Sequence, residues 1–119
     1  CNASSINFKN LASITNIKKN VLSALEDIKA FDILTIDIRK HASIADYIII
    51  ASANSSRQAK ALADNIKIRM KKINTPLIGI EGESESEWVL VDLGDIIIHI
   101  MTPTIRVHYN LEELWTYNN

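Results

Sequence analysis

The sequence lacks the features that mark secreted, membrane-spanning or strongly nucleic-acid-binding proteins. Its single cysteine, Cys1, cannot form a disulfide within the chain, which fits a reducing compartment. No apolar run approaches the roughly 20 residues of a membrane span, and residues 4–30 show no secretory signal pattern. The formal net charge is −1, whereas proteins that bind a bare phosphate backbone are usually basic. We therefore expect no membrane contact and no direct sequence-specific binding to nucleic acid, although a local basic patch is compatible with this charge.

The composition predicts one globular domain. Of the 119 residues, 47% are hydrophobic and 23% are charged, as in ordinary globular proteins. No internal repeat, low-complexity tract or linker divides the chain. Because the chain lacks an initiating Met, we interpret residues 1–3 as the remnant of a removed tag and residues 4–119 as the single domain.

Hydrophobic periodicity predicts an alternation of helices and strands. Apolar residues at helical spacing indicate amphipathic helices over about residues 13–29 and 55–73. A hydroxyl followed by proline at Thr102-Pro103 indicates the start of a short helix. Strands are predicted at 33–38, 47–51 and 77–80, a hairpin at 88–101 and a last helical turn at 111–115. This order predicts an α/β fold in which one mixed sheet of about five strands has helices on its faces.

The segment 88–101, WVLVDLGDIIIHIM, is the most informative part of the chain. It predicts two strands joined by a tight turn at Gly94-Asp95, and side chains alternate between the two faces of such a pair. One face is purely aliphatic and belongs in a core, with the predicted pairs Val89–Ile100, Val91–Ile98 and Leu93–Ile96. The other face is apolar but carries polar groups, with the predicted pairs Trp88–Met101, Leu90–His99 and Asp92–Ile97.

The mixed face has two interpretations. Tryptophan is a favoured interface anchor and polar groups orient a partner, so this face suits a binding surface. Alternatively, a helix covers it and Trp88 belongs to an ordinary core. The residues alone leave both interpretations open.

No metal centre or nucleophile is indicated. The three histidines, His41, His99 and His108, are far apart and have no cysteine pair beside them, whereas metal ligation needs several such groups to converge. The pair Ser55-Ser56 lies at a strand-to-helix turn, but no G-x-S-x-G elbow surrounds it. Helix capping explains both serines.

The same turn is a candidate anion contact. Residues 51–57 lead into a helix N-terminus, whose free N–H groups and dipole attract anions, so Ser55, Ser56 and Arg57 are the candidate residues. The turn contains no glycine and neither of the glycine-rich phosphate-binding motifs. Arg57 either binds an anion or pairs with a carboxylate, and the missing motifs favour the second explanation.

Paired catalytic acids are also not indicated. Metal-assisted phosphoryl transfer needs two acids on one strand face, but Asp92 and Asp95 lie on either side of the predicted turn, where Asp95 suits a turn position. Four glutamates between residues 81 and 87 suggest a solvated acidic loop. The residues therefore favour a binding module without a cofactor, and not an enzyme.

The ordered series of motifs resembles the ribosomal silencing factor family, also called the iojap family. The resemblance runs from about residue 14 to 116 and departs from the family pattern at Ala53 and Ser86, where glycine is frequent. The residues that carry it are Asp46-Tyr47, Ser55-Ser56-Arg57-Gln58, Ala63-Asp64, Pro76, Glu81-Gly82, the run from Trp88 to Asp95, His99, Arg106, Tyr109, Leu111-Glu112 and Leu114-Trp115.

The resemblance implies a nucleotidyltransferase-like fold that has lost its catalytic acids. It also implies binding to the large ribosomal subunit through its protein L fourteen, which blocks joining of the small subunit and silences translation during starvation. A homodimer in the free state and the bacterial cytoplasm are implied as well, although a mature organelle protein would look the same. We expect the contact residues to be Trp88, Leu90, Asp92, His99 and Met101, with Trp88 as the anchor. The alternative is a nucleotide-binding or nucleotidyltransferase-like enzyme that uses the Ser55–Arg57 turn.

Overall fold

The computed structural model describes residues 14–39, 45–82 and 87–109. Within them the chain forms three helices and five strands, in the order that the sequence predicts. The elements are α1 (Ile14–Asp27), β1 (Phe31–Asp37), β2 (Tyr47–Ser52), α2 (Ser56–Lys72), β3 (Gly79–Glu81), β4 (Trp88–Asp92), β5 (Ile96–Met101) and α3 (Pro103–Tyr109). The predicted tag remnant at 1–3, the helical turn at 111–115, His41 and most of the acidic loop lie outside the described residues.

The five strands form one mixed sheet in the order β1-β2-β5-β4-β3. Strands β2 and β5 are parallel, and the other neighbours pair antiparallel. Strand β2 lies between two others and is buried from Ile48 to Ser52, as expected for its continuous apolar run. The predicted α/β fold with a mixed sheet of about five strands is confirmed.

Helices α1 and α2 cover one face of the sheet and form the main core with it. The amphipathic pattern of each helix directs its apolar side chains inward, including Val21 and Leu25 of α1 and Leu62 and Ile66 of α2. The aliphatic face of the hairpin lies in this core, as predicted, through Val89, Val91, Leu93, Ile96, Ile98 and Ile100.

Polar contacts fix the two helices against each other in an antiparallel arrangement. Gln58 at the start of α2 donates from its side chain to the carbonyl of Ile28, just after α1, at 2.8 Å. About two turns further along α2, Asn65 Nδ2 donates to the carbonyl of Ala24 at 2.8 Å. Near its end, Arg69 pairs with Asp27. One flank of α2 is therefore occupied by α1.

The strand ends differ from the predicted ones at two edges of the sheet. Strand β1 begins at Phe31 and not at residue 33, because a bulge between Phe31 and Leu34 extends the pairing with β2. Asp32 takes a left-handed backbone conformation there, with φ of 50°. Strand β3 begins at Gly79 and not at residue 77, although Ile78 N already donates to Asp92 O at 2.8 Å.

The second face of the sheet carries a smaller core. Its fully or nearly fully buried members are Ile36, Ile38, Ala45, Ile48, Ile50 and Met101. Four half-buried side chains pack against them, namely Leu34, Trp88, Ile97 and Ile105. Ile105 belongs to α3, which begins at Pro103 as predicted. The Thr102 hydroxyl, expected to cap this helix, donates instead to Glu87 Oε1 at 3.1 Å.

None of the helices in the described part of the chain is both long enough and apolar enough to cross a membrane.

Candidate functional site

The five predicted contact residues lie together on the second face of the hairpin. The register is the predicted one, with Trp88 opposite Met101, Leu90 opposite His99 and Asp92 opposite Ile97. Gly94 makes the tight turn possible because its φ of 89° is a conformation that few other residues adopt. We call Trp88, Leu90, Asp92, His99 and Met101 the hairpin surface.

Strand position determines which of these residues are accessible. Trp88, Leu90 and Asp92, all on β4, are half-buried, whereas His99 is 9% exposed and Met101 is fully buried. The two buried residues lie on β5, the middle strand of the sheet, and Met101 belongs to the smaller core. Met101 therefore supports the hairpin surface from beneath and does not form part of its accessible area. Both interpretations of Trp88 describe part of its environment, because it packs on this core and remains partly open to solvent.

A hydrogen bond joins Trp88 to His99 across the two strands. The indole Nε1–H of Trp88 donates to His99 Nδ1 at 3.0 Å, and the two ring centroids are 5.8 Å apart. Since Nδ1 accepts, the neutral imidazole carries its proton on Nε2. Burial lowers the pKa of His99 to about 4, so the neutral form is present at physiological pH. His99 thereby fixes the orientation of the indole ring.

The sequence placed Leu90, and not Trp88, beside His99. Diagonal cross-strand neighbours are within reach of aromatic side chains, and this was the only signal in the sequence for the Trp88–His99 contact. His99, expected as a direct contact, is nearly buried and is bonded to Trp88, the expected anchor.

The two aspartates of the hairpin stabilise its turn. Asp92 Oδ1 accepts from Gly94 N at 2.8 Å, which closes the turn locally. The backbone carbonyl of Asp95 accepts from the N–H groups of Asp46 and Tyr47 at 2.8 and 3.1 Å. The turn is therefore attached to the start of β2.

The Ser55–Arg57 turn is organised as a helix cap. Ser55 Oγ accepts from Gln58 N at 3.1 Å, so Ser55 is the predicted N-cap, whereas Ser56 is the first residue of α2 and not a cap. The Gln58 amide oxygen accepts from Asn54 N at 2.5 Å. Arg57 is exposed beside them. This turn begins α2 on the helix-covered side of the sheet, so it does not share a site with the hairpin surface.

Arg106 lies in a concave region of the surface. The sequence motifs include this residue but indicate no role for it. Its Nη1 donates to Ser52 Oγ at 2.9 Å and to the carbonyl of Asp32, and it lines an open cleft of about 570 Å³ together with Pro103 and Val107. The bulge in β1 presents the Asp32 carbonyl to this guanidinium. Arg106 therefore fastens α3 to the ends of β1 and β2.

Metal ligation has no support in the described residues, where no three His, Cys, Asp or Glu side chains converge. His99 and His108 lie on different elements, one buried and one exposed.

Comparison with known proteins relates this fold to a family. A family model described as "Ribosomal silencing factor during starvation" matches residues 12–119. A ribosomal silencing factor of Chromobacterium violaceum is 42% identical over 102 residues, which cover 86% of this chain and 84% of that protein. The chloroplastic protein Iojap of Zea mays is 31% identical over 97 residues, which cover 81% of this chain and 42% of that protein.

A solved structure agrees with these relatives. The crystal structure of a Chromobacterium violaceum protein superposes on this chain with a TM-score of 0.84 and 42% identity, covering 87% of this chain and 86% of the other. Because the family model spans nearly the whole sequence and the fold agrees, this chain belongs to the ribosomal silencing factor family, the family to which its motifs show a resemblance.

Proposed function

We propose that this protein binds the large ribosomal subunit through the hairpin surface and blocks joining of the small subunit, so that translation is repressed during starvation. One observation carries the proposal: Trp88 is a partly exposed aromatic residue held in one orientation on a rigid sheet. The family to which the chain belongs supports the ribosome as the partner.

The physical properties of the hairpin surface suit a protein partner. Large aromatic side chains contribute most to such interfaces when they enter a pocket from a fixed orientation, since little conformational entropy is then lost. The hydrogen bond from Trp88 to His99 provides this fixed orientation. Leu90 extends the apolar area beside it, and Asp92 places a carboxylate at its margin.

The proposed partner is large-subunit protein L fourteen. Ribosomal proteins are commonly basic, and the carboxylates of Asp92 and Glu87 on the margin of the surface would complement a basic partner and orient docking. Repression then needs no chemistry, since a bound domain occupies space that the small subunit requires. We place this activity in the bacterial cytoplasm, with a homodimer as the free form.

Co-sedimentation with purified large subunits, small subunits and joined ribosomes tests the proposal. We expect binding to large subunits alone, and fewer joined ribosomes when small subunits are added afterwards. Absence of binding at micromolar protein, or binding to small subunits instead, would contradict the proposal.

Substitution of Trp88 tests whether the hairpin surface is used. Trp88→Ala removes the anchor, and we expect the affinity for large subunits to fall about thirtyfold, equivalent to ~2 kcal/mol. Because Trp88 also packs on the smaller core, Leu90→Ala provides a second, less disruptive variant, with circular dichroism as the check on folding. Val107→Ala, at a residue that is 78% exposed on α3, is the matched control and should bind normally. Normal binding by both hairpin variants would exclude this surface.

A further inference from the structure

A line of basic side chains follows the outer flank of α2, and we propose that it contacts the phosphate backbone of RNA in the large ribosomal subunit. Arg57, Lys60, Lys67 and Lys71 form this line, which we call the basic stripe. Their spacings of three, seven and four residues place them on one side of a helix. The inference rests on the proposed function, which brings the chain to that subunit.

The charge of the chain is strongly divided between α2 and the rest. Six of the 13 Lys and Arg residues lie in α2, which contains one acidic residue, Asp64. The remainder of the chain carries seven basic and 13 acidic residues. The net charge of −1 therefore conceals a basic helix on an acidic domain, and a cationic surface of this kind favours a polyanionic partner.

The basic stripe lies on the flank of α2 that faces away from α1. With 100° of rotation per residue, its members span about 80° of the helix circumference. The opposite flank carries Gln58, Asn65 and Arg69, all of which contact α1 or the residues just after it. The members of the stripe are exposed or half-exposed, and they extend over about 21 Å of helix, enough for several phosphates of one strand.

The stripe and the hairpin surface approach the same edge of the sheet. Lys67 and Lys71 line a cleft of about 430 Å³ with Pro76 and Leu77, the segment that leads into β3. Strand β3 is one of the two edge strands and pairs with β4, whose other face carries Trp88. A ribosomal site that contacts the hairpin surface and continues around this edge therefore meets the stripe.

The ion pairs within the stripe do not prevent this contact. Asp64 lies in the same line and pairs with Lys60 at 3.1 Å and with Lys67 at 3.7 Å. The three side chains are 39–53% exposed, and ion pairs this open to solvent contribute little. The stripe contains no aromatic side chain to anchor a folded protein or stack on a base. Its chemistry therefore matches phosphate groups and carries no base specificity.

The salt dependence of binding to purified large subunits tests this inference. Neutralising two phosphate contacts with Lys67→Gln and Lys71→Gln together should reduce the slope of log affinity against log salt by about 1.4 to 1.8. The affinity should then fall about 15- to 30-fold at 0.15 M KCl and only about threefold at 0.5 M KCl, at constant Mg²⁺. The matched control combines Lys19→Gln and Lys29→Gln, which change the net charge equally at exposed positions outside the stripe.

Each outcome is decisive once circular dichroism shows that the variants are folded. A slope that differs from the wild type only in the stripe variant supports the inference. Equal slopes for both variants, or weaker binding without a change of slope, would overturn it, the latter indicating a protein contact. If the wild-type protein does not bind large subunits, the proposed function itself fails, and the inference fails with it.

Discussion

His99 makes the stability of the fold sensitive to acid. Its pKa is lowered by burial to about 4 in the folded chain, against about 6.5 in an unfolded one. Below pH 6.5 the unfolded chain binds a proton on this imidazole, whereas the folded chain does not bind it until the pH approaches 4. The stability that His99 contributes in its neutral form is therefore complete above pH 6.5 and is lost as the pH falls towards 4. We expect this loss of stability to be roughly 2 to 3 kcal/mol at pH 4.5.

Urea denaturation of the wild type and His99→Gln at pH 7 and pH 4.5 measures this effect. Glutamine keeps an oxygen that can accept from Trp88 but does not titrate, so the variant should lose roughly 2 to 3 kcal/mol less stability than the wild type over this range. Acidic groups titrate in both proteins and cancel in the comparison. His108→Gln, at an exposed residue, is the control and should behave like the wild type. An equal loss of stability in all three proteins would show that His99 has the same proton affinity in the folded and unfolded states.

At the scale of the elements, periodicity predicted the helices, the strands and the hairpin register. The two-residue loop fixes which residues face each other across the hairpin, so one turn position determined the pairs from Val89–Ile100 to Asp92–Ile97. Sequence alone did not place the bulge at Asp32, because a left-handed aspartate depends on its partner strand and on Arg106. Local pattern likewise did not show that Met101 is buried, since this follows from the central place of β5 in the sheet.

The hairpin turn yields a prediction for Gly94. Its φ of 89° strains any residue with a side chain, and an added Cβ would lie 3.0 Å from Ile78 Cδ1. We expect Gly94→Ala to destabilise the chain by about 1 to 2 kcal/mol, mostly through backbone strain, because the tip of Ile78 can move aside. Chemical denaturation measures the change.

Gly79→Ala is the matched control for this prediction. No heavy atom lies within 4 Å of an added Cβ at Gly79, so the substitution should be nearly neutral. The double variant Ile78→Ala with Gly94→Ala separates the two causes, since it relieves the contact but not the strain. Recovery of most of the lost stability in the double variant would show that crowding, and not φ, is responsible.

At the scale of the whole molecule, the two sides of the sheet differ in what covers them. The helix-covered side contains the main core and carries the basic helix, while the opposite side holds a smaller core under a partly exposed tryptophan. The outermost members of the smaller core, Trp88 and Ile97, remain partly accessible, as the proposed binding surface requires. The sequence indicated the hairpin surface, whereas the basic stripe and its approach to the same edge of the sheet follow from the fold.

The whole-molecule arrangement also bears on the enzyme alternative. A nucleotide site at the Ser55–Arg57 turn requires free donors at the start of α2, but the Ser55 hydroxyl caps Gln58 and the Gln58 side chain accepts from Asn54. We therefore expect no change in melting temperature with nucleoside triphosphates, nucleoside monophosphates or inorganic phosphate, each with and without Mg²⁺. A ligand at about 100 times its dissociation constant would add ~2.7 kcal/mol of stability, a shift of several degrees that is easily measured. Arg57→Gln serves as the control: a shift in the wild type that this variant abolishes would contradict the capping interpretation and establish an anion site at the turn.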